Sequence, residues 1–302
     1  MDSLDFRILG MLIRDSRVSY ETIAAALDVP AETAINRIFR MWDVGVISEY
    51  RIKVNPSLFG YKTAIVLAEA YRNYCKQKDI RAIRTMDRVT AVVETTSKIY
   101  SAYVLHTGEQ ELKGLVDQIK AKITPSRVTN VVFPREAPPS VKLSGQDWRI
   151  IEHLMDDPRA SVDNMACDLQ IAPKTLERRM EKLISGGVMA PTVVIQPGMF
   201  EGMFSNRLYI IFNDGSERAR TGIVDGIKNK WNVIGLEHPQ GAIIDVYGKT
   251  RRDIEDDLRS LKSMPEVRET FYTLPSRIVS SDLLIRKKVI EAVYRSDSTA
   301  GL

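Results

Sequence analysis

Apolar residues near the start of the chain fall at helical intervals. Leu4, Ile8, Leu9 and Leu12 repeat every three or four positions, which predicts an amphipathic helix. A second helix follows, with Ser19 suited to its N-cap, Glu21 in its first turn, and Ile23, Ala24 and Leu27 on its apolar face. Leu27-Asp28-Val29-Pro30 is a short joint in which Pro30 stops the hydrogen-bond ladder. The third pattern runs from about Ala31 to Trp42, with Ile35, Ile38, Phe39 and Trp42 expected to face inward. Gly45 closes it, and Val46-Ile47 opens an extended segment. Two helices across a short joint, the second with a polar outer face, form a helix-turn-helix.

The same pattern returns at a constant offset of 142 residues. Asp5 aligns with Asp147, Arg7 with Arg149, Leu12 with Leu154, Arg17 with Arg159, Ser19 with Ser161, Thr33 with Thr175, Arg37 with Arg179, and Gly45-Val46 with Gly187-Val188. The identities cover polar and apolar faces alike, so they mark a duplication rather than two coincident amphipathic patterns.

After each head the period changes. Residues 61–71 read as a strand, 76–87 as a helix, Val89–Thr96 and Ile99–Thr107 as strands, Glu109–Lys122 as a helix and Val128–Phe133 as a strand. Arg207–Asn213, Ser216–Lys230, Asn232–Glu237, Ala242–Tyr247, Thr250–Ser263 and Val267–Leu274 repeat that order. The order βαββαβ is ferredoxin-like. The predicted class is therefore α+β: helix-turn-helix heads at 1–60 and 144–198, and ferredoxin-like units at 61–135 and 203–275. The Pro-rich stretch at 134–143 is the seam between copies, a linker of limited flexibility. A tail helix is expected around Asp282–Tyr294 within 276–302.

Composition narrows the field modestly. With 44% hydrophobic residues the chain has material for a sizeable core. No apolar run reaches the roughly 18 residues of a membrane span, and MDSLDFRILG carries acids where a secretory signal carries bases; a cytoplasmic protein without membrane partners is expected. Cys75 and Cys167 stand far apart and read as reduced thiols. His106, His153 and His238 are scattered without metal-ligand spacing, so no metal is expected. Net charge is +4, yet residues 1–50 hold five basic and eight acidic side chains, so any nucleic-acid reading rests on local geometry.

The residues of the first head resemble those of the Lrp/AsnC (feast/famine) transcription regulators. Ile8-Leu9, Leu12, Asp15, Arg17, Ser19, Ala24, Thr33, Arg37-Ile38, Arg40, Gly45-Val46-Ile47, Tyr50, Val54-Asn55-Pro56 and Gly60-Tyr61 stand in that family's order. The second copy keeps Asp147, Ile150, Asp157, Arg159, Ser161, Thr175, Arg178-Arg179 and Gly187-Val188. The chain thus resembles two such subunits fused head to tail. The resemblance implies a winged-helix reader of double-stranded DNA, no cofactor, and a small-molecule effector such as an amino acid. The family's sensing loop, between its second and third strands, carries a Gly and an Asp. Here the first copy offers Thr96 and Ser97, and the second His238, Gln240 and Gly241.

Candidate DNA contacts lie on the outer face of each third helix. They are Glu32, Thr33, Asn36, Arg37 and Arg40 in the first copy, and Lys174, Thr175, Arg178, Arg179 and Lys182 in the second. Arg forks onto guanine and Asn onto adenine, while Lys holds phosphate. Arg37 and Arg179 admit a structural alternative, an ion pair with Asp5 or Asp147 of their own head. Trp42 and Trp148 read as core. The unlike faces predict an asymmetric site read by a pseudodimer, with further pairing into a homodimer or larger ring. Two rival classes remain: an enzyme resembling the tetrapyrrole decarboxylases of this fold combination, with His238 and Arg207 as candidates, and a scaffold with degenerate heads.

Overall fold

A computed structural model of the 302-residue chain describes residues 1–69, 76–96, 99–123, 127–132, 138–202, 204–213, 217–230, 232–238, 241–248 and 251–300. Cys75, Ser97 and Gln240 lie outside them. The first head comprises α1 (Ser3–Arg14), α2 (Tyr20–Leu27) and α3 (Ala31–Asp43), then the wing strand β1 (Ile47–Val54). Ser19 caps α2 as expected, its hydroxyl accepting from the Thr22 amide at 3.1 Å. Asp2 and Asp5 form a reciprocal box at the start of α1, closing the free amides of its first turn.

One helical face differs from expectation. The buried row of α3 is Ala34, Ile38 and Met41, whereas Phe39 and Trp42 are 55% and 42% exposed. Ala34 sets the rotation of the helix, because its small side chain lets the helix sit close on the core. Trp42 then lies outside and stacks on Tyr50, with ring centroids 5.3 Å apart. Trp148 is half-buried and meets Phe59 of the other copy at 5.7 Å.

The second head repeats the first with α6 (Gly145–Asp156), α7 (Val162–Asp168), α8 (Pro173–Ser185) and β6 (Met189–Ile195). Gly45 and Gly187 take φ of +77° and +70° at the equivalent turn into the wing, a conformation that a Cβ disfavours.

β1 pairs antiparallel with β6, not with a strand of its own head. Tyr50 opposes Val193 and Arg51 opposes Thr192, so a pseudo-twofold axis passes through the ribbon. The contacts around it are reciprocal, as in an isologous interface. Arg17 donates to the Pro158 carbonyl at 2.8 Å, and Arg159 donates to the Ser16 carbonyl at 3.0 Å. Phe200 packs edge-on against Phe6 at 5.5 Å, so each copy contributes apolar cover to the other's head.

The first ferredoxin-like unit holds β2 (Lys62–Glu69), α4 (Lys76–Arg84), β3 (Val89–Thr95), β4 (Ile99–His106), α5 (Glu109–Lys122) and β5 (Arg127–Val132). The second holds β7 (Phe204–Phe212), α9 (Glu217–Lys230), β8 (Asn232–His238), β9 (Gly241–Gly248), α10 (Arg251–Lys262) and β10 (Val267–Thr273). The second sheet is antiparallel in the order β10-β7-β9-β8. The first has the matching order with one extra strand, β11 (Pro275–Ser280), paired to the edge of β3. The expectation of a tail built only of helix is corrected there: β11 seals an edge before the final helix, α11 (Leu283–Ala300), begins. Gly198 makes room for this strand, since a Cβ there would meet the Ser276 carbonyl oxygen at 2.3 Å. α11 packs on α6, with Ile285 and Val289 buried in the second head's core and Arg286 donating to the Met155 carbonyl. The two sheets pack face to face through Ile65, Leu67 and Tyr103 on one side and Tyr209, Ile243 and Phe271 on the other. No helix among the described residues is long and apolar enough to cross a membrane.

Candidate nucleic-acid interface

Both third helices present their outer faces to solvent. Among the described residues, Glu32, Asn36 and Arg40 on α3 are exposed to solvent, as are Lys174, Arg178 and Lys182 on α8; Thr33 and Thr175 are half-buried.

Arg37 and Arg179 behave differently. Arg37 Nη1 donates to Asp2 at 2.6 Å and to Asp5 at 3.0 Å. Arg179 Nη1 donates to Asp147 at 2.7 Å and to the Ser144 hydroxyl at 3.2 Å. Each arginine ties its third helix to the cap of the first helix in its own head. The structural alternative left open by the sequence is the one realised at both positions. The Arg37 guanidinium, donating to Asp2, holds that carboxyl below its usual value. Asp147 is also lowered: burial pushes it up, but the bonds from Ser144 and Arg179 outweigh burial.

With those arginines neutralised, the two faces carry unlike charge. α3 keeps Arg40 against Glu32 and Asp43. α8 keeps Lys174, Arg178 and Lys182 against Glu177 and Glu181. The outer face of α8 is the cationic one, although duplication made the pair.

The residues proposed for effector sensing do not gather into one described pocket. Thr96 follows β3, its amide donating to the Leu274 carbonyl at 2.7 Å. His238 ends β8 and pairs across with Gly241, which is buried at the start of β9. Of the two enzyme candidates, Arg207 is held by Asp245 through two bonds of 2.7 and 2.8 Å. Among the described residues no cluster of three His, Cys, Asp or Glu is placed to hold a metal.

This fold and these faces define a duplicated winged-helix protein. Residues 1–41 match the AsnC-type helix-turn-helix domain, and residues 143–188 match a winged helix-turn-helix DNA-binding domain. An uncharacterised HTH-type transcriptional regulator of Pyrococcus furiosus is 40% identical over 100 residues, which cover 32% of this chain and 66% of that protein. Its Pyrococcus abyssi counterpart is 38% identical over 100 residues, covering 32% and 67%. The match thus spans just under two thirds of the first relative's length. The crystal structure of the siroheme decarboxylase NirDL resembles the whole arrangement, with TM-score 0.54 at 13% identity over 97% of this chain and 99% of that one; the likeness is one of fold. The chain belongs to the Lrp/AsnC family.

Proposed function

We propose that the protein is a DNA-binding transcriptional regulator that reads an asymmetric site as a pseudodimer within one chain. The observation that carries this reading is the exposed cationic face of α8, with Lys174, Arg178 and Lys182 free of the anchoring role that holds Arg179. A helix so presented fits the major groove, where arginine reads guanine and lysine holds phosphate. On α3, Asn36 and Arg40 supply the opposite half of the site, with weaker phosphate grip because Glu32 and Asp43 flank them.

The test is a footprint and gel shift against genomic fragments over a range of salt. Replacing Arg178 and Lys182 with Ala removes two phosphate partners and should reduce the slope of log K against log salt by about 2. Arg40→Ala alone should change that slope by about 1 or less. An unchanged slope in the double variant removes the assignment, and selected sites that are all perfect palindromes remove the asymmetry. The decarboxylase reading is weaker here, since Arg207 is already neutralised by Asp245; a tetrapyrrole that changes its absorbance on mixing with the protein would revive it.

A further inference from the structure

The seven large apolar side chains that are exposed among the described residues are not scattered. They form two patches. The first lies at the C-terminal end of α3. Phe39 and Trp42 stand one turn apart, Val44 follows them, and Met199 Cε lies 3.5 Å from where a Cβ on Gly45 would stand. The second is a row along α11. Leu283, Ile290 and Tyr294 are spaced i, i+7 and i+11, which puts them on one side of the helix, opposite the buried Ile285, Val289 and Val293. Leu283 and Tyr294 are 73% and 70% exposed. Contiguous exposed apolar surface of this kind marks an interaction site. Duplication does not account for the first patch, since Glu181 stands at the place of Phe39 and Gly186 at that of Val44. In the second head the seam covers this turn: the Ser140 amide donates to the Gly186 carbonyl at 3.0 Å, and Val141 packs against Gly186. In the first head the corresponding side chains stay exposed among the described residues.

Charge says which surface meets which. On the outer face of α3, Glu32 and Asp43 stand against Arg40, because Arg37 is held by Asp2 and Asp5. On α11, residues 283–295 hold four bases, Arg286, Lys287, Lys288 and Arg295, and one acid, Glu291. The exposed Lys287 stands in the apolar row itself, between Leu283 and Ile290. Either patch paired with its own copy brings like charges together, which works against association. Paired with each other, the two match apolar to apolar and base to acid. We propose that α11 of one chain docks on the α3 patch of a second copy, with Leu283, Ile290 and Tyr294 against Phe39, Trp42 and Met199, and Lys287 at the carboxylates of Glu32 and Asp43. Each chain carries one surface of each kind, so the contact is heterologous and repeats into a ring or a filament. This goes beyond the DNA reading. A docked α11 and a duplex exclude one another on α3, while α8 stays free.

The experiment is sedimentation velocity of the full chain over a concentration series, without DNA. The parent should associate beyond the monomer. Phe39→Ser with Asp43→Ser spoils the α3 patch, and Leu283→Ser with Tyr294→Ser spoils the α11 row; all four positions are exposed, so the melting transition should persist in both variants. Each double variant alone should associate at least about tenfold more weakly than the parent, the loss expected when a large apolar side chain is no longer buried. Mixed in equal amounts, the two should form a pair of one with the other that grows no further, because each supplies the surface its partner has lost. That pairing also shows both variants to be folded. A parent that stays monomeric across the series overturns the proposal, and so does a mixture that stays monomeric. Undiminished association of the α3 variant alone overturns it in favour of α11 pairing with its own copy, and undiminished association of the α11 variant alone in favour of α3 doing so.

Discussion

Arg37 and Arg179 occupy equivalent turns of α3 and α8, and each holds the cap of its head's first helix. Their removal is therefore a stability change before it is a recognition change. Arg179→Ala leaves the Asp147 carboxylate, whose side chain is 5% exposed, without its cation; the expected cost is about 1–3 kcal/mol, read from denaturant unfolding. Arg178→Ala, on an exposed turn one residue away, should stay within about 0.5 kcal/mol of the parent while weakening DNA binding. The Asp147 carboxyl gives the same anchor a pH signature. Its folded-state value is lowered, so its contribution is present above the unfolded value near 4 and is lost as pH falls through the folded one. The stability gap between parent and Asp147→Asn should be widest above about pH 5 and narrow below it. A gap that stays constant down to pH 2 in unfolding curves would assign the anchor to neutral hydrogen bonding alone.

At the scale of elements, the least expected piece is β11. Gln196 fixes it from outside the sheet, its amide donating to the Ile278 carbonyl at 2.9 Å and accepting from the Ile278 amide at 3.0 Å. Gln196→Ala strands both backbone groups and should cost about 1–3 kcal/mol. Hydrogen exchange of the β11 amides should accelerate more than that of β4 in the middle of the same sheet. The helices, the joints and the two βαββαβ orders were legible because period and capping are local properties. β11 was not, because Pro275–Ser280 is short, lacks clean alternation and finds its partner β3 far back along the chain. The cross-copy ribbon was hidden for the same reason: periodicity announces a strand and is silent on its neighbour. Trp42 was misread because Ala34, not the largest side chain, decides which stripe of α3 turns inward. On the two recognition faces, exposure of Lys174, Arg178 and Lys182 followed from spacing, while the role of Arg37 and Arg179 needed the caps to be seen in place.

Across the whole molecule, one divergent pair of positions lies where the two sheets meet. Ile65 opposes Tyr103 across β2 and β4, and at the same offset Arg207 opposes Asp245 across β7 and β9. The two pairs meet at the packed sheets, where Arg207 is 5% exposed and Tyr103 is pushed to higher pKa by burial. Two copies of the first pair would face each other as apolar surfaces, and two of the second would bury four charges together. The mixed arrangement buries one compensated ion pair against a phenol. Arg207→Ala leaves the half-buried Asp245 carboxylate without its cation, and should destabilise the chain by about 1–3 kcal/mol. Replacing both, as Arg207→Ile with Asp245→Tyr, installs the copy-one pair and should be close to neutral or stabilising by about 1–4 kcal/mol. Denaturant unfolding of the three proteins decides between the accounts. A double variant as unstable as the single one would mean that the ion pair itself, rather than the penalty of an orphaned carboxylate, holds the sheets together.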